Sequence, residues 1–515
     1  MNTVNNVLLC NNFGGIKRIN SSFSSSGITA SDIKNVELFD TGINSGVGIR
    51  TMKGNSKKLE IPNEKIINIF SSIQQSETYL FIHTETESEG KIYLYNPTSN
   101  SLLLKCDNLS LTGISCGVDF TYGWSDLFVF SNGENLVYIS LDNYDEHGNL
   151  DEVHIVTPVD VDGVNVKGLG LSVFDNRLWI FNKTTLWYSR KVDCFDFSSD
   201  DSTLSTSAGK IDFVKKITAI TPFYGNLIVF HSDSSSILSV DSSGSFSVSN
   251  DSPGGCAGVK AFVIHGSHLY FYDDTKKSIF VFSQTITADK LLNDSFSKDI
   301  QEEFFDINEY HGNMIVMKSV ILPDRNEFWF IMPSDNEYSS ILIYDAIHAQ
   351  WVKRKSQKLS SVVVFKNNLF SSSDNKLLIE YDDDKFDEEF IPSFYKCTPL
   401  NLGIDNSMKI LYMPPRVTLD MTYLNDFMVR YINNYDTLKK IVEKHIYTKD
   451  IRDLFYWDSS NWDSKFIFKP KETNSIKRLP TSCFQTLEIN FFTNSLNQGF
   501  AIKNIEFSRI KVKQL

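Results

Sequence analysis

The sequence predicts an all-β protein whose largest part is an irregular β-propeller. One short phrase recurs seven times: an apolar run, a polar turn and a second apolar run. Phe (39 residues) and Tyr (21 residues) are abundant, and Ser and Asn crowd the turns, which is typical of strand-rich chains. The phrases recur roughly every 48 residues, with the anchor residues Leu80, Leu127, Leu178, Leu227, Leu269, Phe328 and Leu369.

Each phrase predicts a β-hairpin, as in "NRLWIFNKTTLWYS" and "GNLIVFHSDSSSILSV". A single hairpin is only marginally stable in water. Repetition at this period therefore indicates four-stranded sheets arranged radially, each covering the apolar face of its neighbour. We expect seven blades, with six or eight as alternatives. A β-sandwich array or a β-helix is the competing interpretation, because hairpins also repeat in those folds.

The chain divides into three predicted regions. Residues 1–60 form an N-terminal arm whose strand-like phrases "VELFDTG" and "GVGIRTMKG" are expected to join the propeller, and residues 61–385 form the propeller itself. Residues 386–515 carry strands of period two and predict a β-sandwich-like domain. Within it, residues 433–453 predict a short helix, because four apolar side chains fall near helical spacing: Leu438, Ile441, Val442 and Ile446.

Charge and cysteine usage limit the function classes. The net charge of −13 argues against a protein that wraps nucleic acid, which needs clustered Lys and Arg, and suits a surface past which DNA slides.

The seven cysteines are scattered singly without a CxxC pair, so we expect reduced, buried thiols. The first residues lack a basic leader with a long apolar core, and no apolar run approaches about 18 residues. We therefore expect neither a secretion signal nor a membrane segment.

The sequence contains no motif of a phosphate-binding loop, zinc-protease helix, nucleophile elbow or dinucleotide fingerprint. His265 and His268 are best interpreted as loop histidines rather than metal ligands. Trp179, Trp187 and Trp329 could stack on sugars, but strand aromatics usually fill a core. We therefore expect no cofactor, no metal and no catalytic residue.

Two acidic segments have competing interpretations. Residues 142–152 contain spaced carboxylates, but their spacing does not match a calcium loop, so a polar hairpin tip is favoured. The run from residue 382 to residue 389 could hold an acid and base pair for glycoside cleavage, but consecutive carboxylates more often mark a solvated linker. Both segments are candidates for acidic channel or interface loops, with the residues Asp142, Asp145, Asp151, Glu152, Asp382, Asp383, Asp384, Asp387, Glu388 and Glu389.

Several phrases carry a resemblance to a known family. They are "NRLWIFNKTTLWYSRKVDCFDF" at 176–197, the paired phrases at 223–274 with the "SPGGCAGVKAF" loop, and "YDAIHAQWVKR" at 344–354. The C-terminal "FYWDSSNWDSKF" and "CFQTLEINFFTNSLNQGFAIKNIEFSRIKVK" are similar to a sandwich that follows the propeller in the same proteins. Together they resemble the tail nozzle, adaptor-ring and packaged-DNA stabilisation proteins of short-tailed bacteriophages.

The resemblance implies a structural virion protein of a phage tail, assembled in the cytoplasm of the host bacterium. It implies a homo-oligomeric ring, commonly six-fold, that contacts portal, adaptor and other tail proteins and that double-stranded DNA passes during ejection. No catalytic residue comes with it, so we expect a protein without enzymatic activity. Two other classes remain open: a carbohydrate-binding or host-receptor propeller such as a tail-tip adhesin, and a propeller glycosidase.

Overall fold

The computed structural model describes most of the chain. The residues outside the description are 1, 5–7, 11, 17–27, 43–45, 75, 123–124, 145–149, 199–205, 242–243, 284–299, 301–302, 305–314, 333–337, 384–391, 401–407, 412–415, 421–424, 436–437, 448–482, 485, 496–497, 508–509 and 514–515.

The N-terminal strands are β1 (Asn2–Val4), β2 (Leu8–Cys10), β3 (Phe13–Ile16), β4 (Ile28–Lys34), β5 (Val36–Asp40), β6 (Val47–Thr51) and β7 (Asn55–Glu60). The first repeats contain β8 (Lys65–Gln74), β9 (Glu77–Glu85), β10 (Gly90–Asn96), β11 (Ser101–Leu109), β12 (Cys116–Tyr122), β13 (Ser125–Ser131), β14 (Leu136–Tyr144), β15 (Leu150–Val156), β16 (Gly170–Phe174), β17 (Arg177–Asn182), β18 (Thr185–Tyr188) and β19 (Gly209–Asp212).

The later repeats contain β20 (Ile217–Phe223), β21 (Asn226–His231), β22 (Ser234–Val240), β23 (Phe246–Pro253), β24 (Phe262–His265), β25 (His268–Asp273), β26 (Ser278–Phe282), β27 (Val316–Leu322), β28 (Arg325–Ile331), β29 (Tyr338–Asp345), β30 (Gln350–Gln357), β31 (Ser361–Phe365), β32 (Asn368–Ser373) and β33 (Lys376–Glu380). The C-terminal strands are β34 (Phe394–Cys397), β35 (Met408–Leu411), β36 (Arg416–Leu419), β37 (Asp426–Tyr435), β38 (Leu438–Tyr447), β39 (Cys483–Phe484), β40 (Thr486–Phe492), β41 (Ala501–Phe507) and β42 (Ile510–Lys513).

The chain forms two compact units. One consists of residues 56–341 and 357–380, and the other of residues 1–55, 342–356 and 381–515. The boundary runs through the sheet formed by β27 to β30, whose residues 342–356 are counted with the second unit. In the described part of the chain, no helix combines the length and the apolar character needed to cross a membrane.

The first unit is a β-propeller, as the sequence predicts. Its described residues form seven sheets: β8–β11, β12–β15, β16–β19, β20–β23, β24–β26, β27–β30, and β31–β33 with β7. Each sheet pairs its strands in chain order, apart from the seventh. The seventh sheet combines three strands from the end of the repeats with β7 from their beginning, so the N-terminal strand closes the ring. Closure by a shared sheet leaves only short strand edges exposed.

The apolar core of the propeller lies between consecutive sheets. Phe81 of the first sheet stacks on Phe128 of the second at a centroid distance of 4.5 Å. Trp179 and Trp329 are fully buried, as expected for side chains that fill a blade rather than stack on sugars. Between the seventh and first sheets, Ile61 packs in one cluster with Phe370 and other apolar side chains. Burial between the sheets therefore makes each sheet depend on its neighbours.

The second unit joins both ends of the chain in three sheets. Their strand orders are β3-β4-β34-β40-β37-β38, β2-β41-β6-β5 with β36 also on β41, and β1-β42-β35-β39. Phe427 on β37 and Phe491 on β40 contact Phe500, which precedes β41, at centroid distances of 5.5 Å and 6.2 Å. These contacts pack the first sheet against the second, as in a β-sandwich. The segments at 36–40 and 47–51, which we expected to join the propeller, pair with each other and with β41 in this unit.

The short helix predicted for residues 433–453 is wrong. Every described residue of that segment lies in a strand, and β37 and β38 pair along their whole length with Tyr435 opposite Leu438. The register places Val442 opposite Tyr431 and Ile446 opposite Phe427. Apolar residues four and eight positions apart share one face of a helix and also one face of a strand. In the pairing strand β37, alternate residues are fully buried, and this period of two is that of a strand.

Candidate functional site

The channel of the propeller is the candidate site, and the first strand of each sheet lines it. β8, β12, β16 and β20 lie side by side in that order, β24 lies against β27, and β31 contacts both β27 and β8. In a four-stranded meander, the fourth strand ends at the same end of the propeller where the first strand began. The first strands of successive sheets therefore all run in the same direction along the channel. Their first residues therefore meet at one end of the channel, the starting end, and their last residues meet at the far end.

The starting end carries two lysines. Lys260 precedes β24, and Lys318 is the third residue of β27. The backbone N–H of Met317 donates to the carbonyl oxygen of Lys260 at 2.8 Å, which places the two lysines side by side. Cys116, the first residue of β12, lies close enough to interact electrostatically with both. Three different sheets thus bring two amines and a thiol together.

Desolvation changes the chemistry of these groups. Burial lowers the pKa of Lys260 to about 8, and the charge of Lys318 acts in the same direction. Burial also lowers the pKa of Lys318 and raises that of the Cys116 thiol. All three residues nevertheless keep partial solvent exposure.

A polar network supports this end of the channel. The amide of Asn68 on β8 donates to the carbonyl oxygen of Ser115 at 2.9 Å, and the Ser361 hydroxyl at the start of β31 donates to the Asn68 side-chain oxygen. Nδ1 of His83 lies 3.0 Å from Oγ of Ser115. Burial, with a smaller contribution from Lys260, lowers the pKa of His83 to about 3, so the ring is neutral. The network fixes the first, second and seventh sheets relative to each other.

The far end of the channel is apolar at its rim. Five large exposed side chains lie within one residue of the ends of the first strands, and we call them the apolar rim: Ile73, Tyr122, Tyr224, Ile264 and Ile321. Asp119 on β12 lies nearby and accepts a hydrogen bond from the backbone N–H of Ile73 at 3.0 Å. Exposed hydrophobic residues that occur singly are ordinary, whereas a contiguous exposed apolar patch is typical of a contact surface.

The segment predicted as an acidic tip, residues 142–152, belongs to the second sheet of the propeller. Asp142 is on β14 and Asp151 and Glu152 are on β15, the third and fourth strands of the second sheet. The register pairs Glu152 with Ser140. Asp145 lies outside the described residues. The described part of this segment is the hairpin of the two outer strands.

The acidic run at 382–389 is described only at its beginning. Asp382 and Asp383 are exposed and directly follow Tyr381, and the carbonyl oxygen of Asp383 accepts a hydrogen bond from the N–H of Gly54. Four further candidates lie outside the described residues: Asp384, Asp387, Glu388 and Glu389. Both described carboxylates belong to the second unit.

His265 and His268 lie on either side of a tight hairpin turn between β24 and β25. Nδ1 of His265 is 2.9 Å from the Ser319 hydroxyl, so its partner is a side chain of the neighbouring sheet. Among the described residues, no group of three His, Cys, Asp or Glu side chains has the geometry to hold a metal ion.

Lys260 and Lys318 were not predicted from the sequence as site residues. Each is a single lysine among apolar or small residues, in "GVKAF" and "VMKSVIL". In a strand, one lysine usually indicates a solvent-facing position, and only the ring closure turns that face toward an enclosed axis. The available signal was a charged residue within the largely apolar first strand of a repeat, as for Lys318, or shortly before it, as for Lys260.

The chain matches no protein-family model and no curated protein. Among solved structures, it is similar to a streptogramin B lyase with 11% identity and a TM-score of 0.37, covering 67% of this chain and 96% of that one. It is also similar to a selenomethionine-substituted virginiamycin B lyase from Staphylococcus aureus, with 9% identity and a TM-score of 0.38, covering 64% of this chain and 98% of that one. At such identities the likeness concerns the fold alone.

These comparisons correct one expectation. The sequence led us to expect a protein without enzymatic activity, but both of these propellers are lyases and therefore enzymes. A propeller with repeated hairpins and no recognisable catalytic motif is thus no ground for excluding catalysis, and that expectation is withdrawn. The likeness assigns no reaction to this chain, because a fold hosts many functions.

Proposed function

We propose that the protein is a structural component of a bacteriophage tail, a ring-forming nozzle or adaptor below the portal. In this role it retains packaged DNA and provides the channel through which the DNA leaves. The ring is a closed assembly of identical copies, commonly six, that also contacts portal, adaptor and other tail proteins. The sequence resemblance suggests this role, and the apolar rim is the structural observation that supports it best.

A ring protein needs a surface on each copy that another protein covers. The apolar rim offers such a surface, since Ile73 and Ile321 are each 58% exposed and both lie at the far end of the channel. Burying exposed apolar area stabilises association by about 25 cal/mol per Å². The propeller beneath it is closed by β7, so it presents the rim on a rigid support.

The charge balance fits a DNA passage. Each Lys or Arg that contacts a phosphate adds affinity that must be broken when DNA moves, whereas carboxylates repel the backbone. The net charge of −13 keeps the protein from binding duplex DNA strongly. This passage is the lumen enclosed by the ring of copies, not the channel of a single propeller. We assign its wall to the acidic loops around 142–152 and 382–389.

Replacement of a rim residue tests the proposal. The purified protein and the variant Ile321→Asp are compared by light scattering and by negative-stain imaging. We expect rings from the unmodified protein and smaller species from the variant, because a buried carboxylate without a partner opposes assembly. Ile155→Asp is the matched control, since Ile155 is 53% exposed on the outermost strand of the second sheet.

Antibody labelling of whole phage particles supplies the second measurement. Label at the tail near the portal supports the proposal. A monomer that never forms rings, together with label confined to fibre tips, would contradict it and favour an adhesin.

A further inference from the structure

We propose that the starting end of the propeller channel binds a small multivalent anion of the phosphate type, held by the ammonium groups of Lys260 and Lys318. This site is independent of the ring proposal, because it lies within a single propeller. Three observations carry it: the position of the lysines, the lack of a carboxylate partner among the residues that the structure describes, and the composition of the surrounding side chains.

The position follows from the sheet geometry. The hydrogen bond from Met317 to the Lys260 carbonyl holds the turn before β24 against β27, where Lys318 follows directly. Both lysines belong to segments that line the channel, and both side chains retain partial exposure. A ligand entering along the axis therefore reaches both amines at once.

The second observation concerns charge. Among the described residues, neither ammonium has a carboxylate within ion-pair distance, and each interacts electrostatically with the other and with the Cys116 thiol. Two desolvated cations side by side repel each other, and desolvation adds to the cost. Other lysines of the propeller have carboxylate partners, such as Lys210 with Asp160 at 3.2 Å and Lys91 with Glu64 at 3.0 Å. An anion would supply the missing counter-charge.

The surrounding groups favour an anion over other ligands. His83 is neutral and the Cys116 thiol is protonated at neutral pH, so neither brings a negative charge to the site. Asp119 lies three residues further along β12, where the N–H of Ile73 donates to its carboxylate. Each lysine provides three N–H donors, which suits the several acceptor oxygens of phosphate. A dianion would neutralise both ammonium groups together.

Calorimetric titration of the full-length protein with inorganic phosphate tests the site. We expect saturable binding of one phosphate per chain and a loss of affinity of about tenfold or more in Lys260→Gln and in Lys318→Gln. Lys318→Arg keeps the charge and should retain binding. Lys167→Gln is the matched control, because Lys167 is a surface lysine paired with Glu134, and it should bind as the unmodified protein does.

The pH dependence gives a further readout. Because the free Lys260 loses its proton near pH 8, phosphate binding should weaken as the pH rises through this value. Circular dichroism shows whether each variant is folded. If a Gln variant is not folded, the Met variant at the same position, Lys260→Met or Lys318→Met, is used instead. Absence of saturable binding, or folded Lys260 and Lys318 variants that bind phosphate as tightly as the unmodified protein, would overturn the proposal.

A second arm distinguishes the source of the phosphate. A short DNA duplex is added as a competitor, since its phosphates are diesters on a polymer. Displacement of inorganic phosphate by the duplex assigns the site to a nucleic-acid backbone. Binding that persists in excess duplex assigns it to free phosphate or a small phosphate ester. Both results support an anion site and specify its ligand.

Discussion

Nδ1 of His83 lies 3.0 Å from the Oγ of Ser115, so a single contact joins the second strand of the first sheet to the residue before the second sheet. His83 is fully buried, and Nε2 has no hydrogen-bond partner. A protonated imidazole would place an uncompensated charge there, next to Lys260. The contact therefore requires a neutral ring.

Replacement of His83 should make stability less dependent on pH. His83 binds a proton below about pH 6.5 in the unfolded chain, but only below about pH 3 in the folded protein. The free energy of unfolding therefore decreases as the pH is lowered from 6.5 to 3. The contribution to the slope approaches about 1.4 kcal/mol per pH unit. Urea unfolding at several pH values should show a flatter profile for His83→Gln. His268→Gln, which alters a partly exposed histidine, should leave the slope unchanged.

Asp160 should be a strong contributor to stability. Its Oδ1 accepts hydrogen bonds from the N–H groups of Asp162 and Val164, both at 2.9 Å, and its Oδ2 accepts from Trp187 Nε1 at 3.1 Å and Lys210 Nζ at 3.2 Å. Burial raises the pKa of Asp160, but these bonds outweigh burial and hold the pKa below its usual range.

Asp160→Asn should lower the free energy of unfolding at pH 7 by about 2 kcal/mol. The amide nitrogen of the new side chain would replace a carboxylate oxygen and would face an N–H donor instead of accepting from it. The folded pKa is depressed, so the carboxylate stabilises the protein above its unfolded pKa and loses this effect as the pH falls. The difference between variant and unmodified protein should therefore shrink in acid. Asp162→Asn serves as the control, since that side chain is 62% exposed. Equal losses in the two variants would contradict this account.

Ile61 should test the closure of the propeller. It is 6% exposed and packs between the seventh and first sheets, where its N–H donates to the Asn375 carbonyl. Ile61→Ala leaves a cavity and should cost about 2 to 4 kcal/mol in thermal or urea unfolding. Val214→Ala, at a fully exposed position, should change stability by less than about 0.5 kcal/mol.

Thiol reactivity should report on access to the channel. Burial raises the pKa of Cys256 to about 12 and that of Cys106 to about 11, so both should resist alkylation at pH 8 in the folded protein. Cys116 is partly exposed and should be labelled before Cys256. Mass spectrometry of digested samples, with and without urea, gives the order. Preferential labelling of Cys256 would contradict the described packing.

The propeller could be predicted because its signal is local and repeated. In "NRLWIFNKTTLWYS" the turn and both strands are adjacent, so the register pairing Trp179 with Tyr188 follows from short-range chemistry. The role of β7 could not be predicted in the same way. Its sequence "NSKKLE" is polar, as an edge strand requires, and its partner β33 is distant in the chain.

The site was harder to predict than the fold. The acidic loops were chosen for their charge, yet Asp142 and Glu152 lie on outer strands of the second sheet. The channel amines at Lys260 and Lys318 meet only because the ring brings distant segments together. Likewise, "LKKIVEKHI" fits a helix and a strand equally well until its pairing partner β37 is known.

The shared seventh sheet has a consequence for synthesis on the ribosome. β7 emerges early, but β31 to β33 are translated only after all the intervening repeats. The seventh sheet, which is the seam of the propeller, therefore stays incomplete for most of the elongation of the nascent chain. Until then, Leu59 and Ile61 lack the side chains that cover them in the finished molecule. A chaperone has its longest opportunity to bind at this seam, and a stalled or truncated product would keep it open.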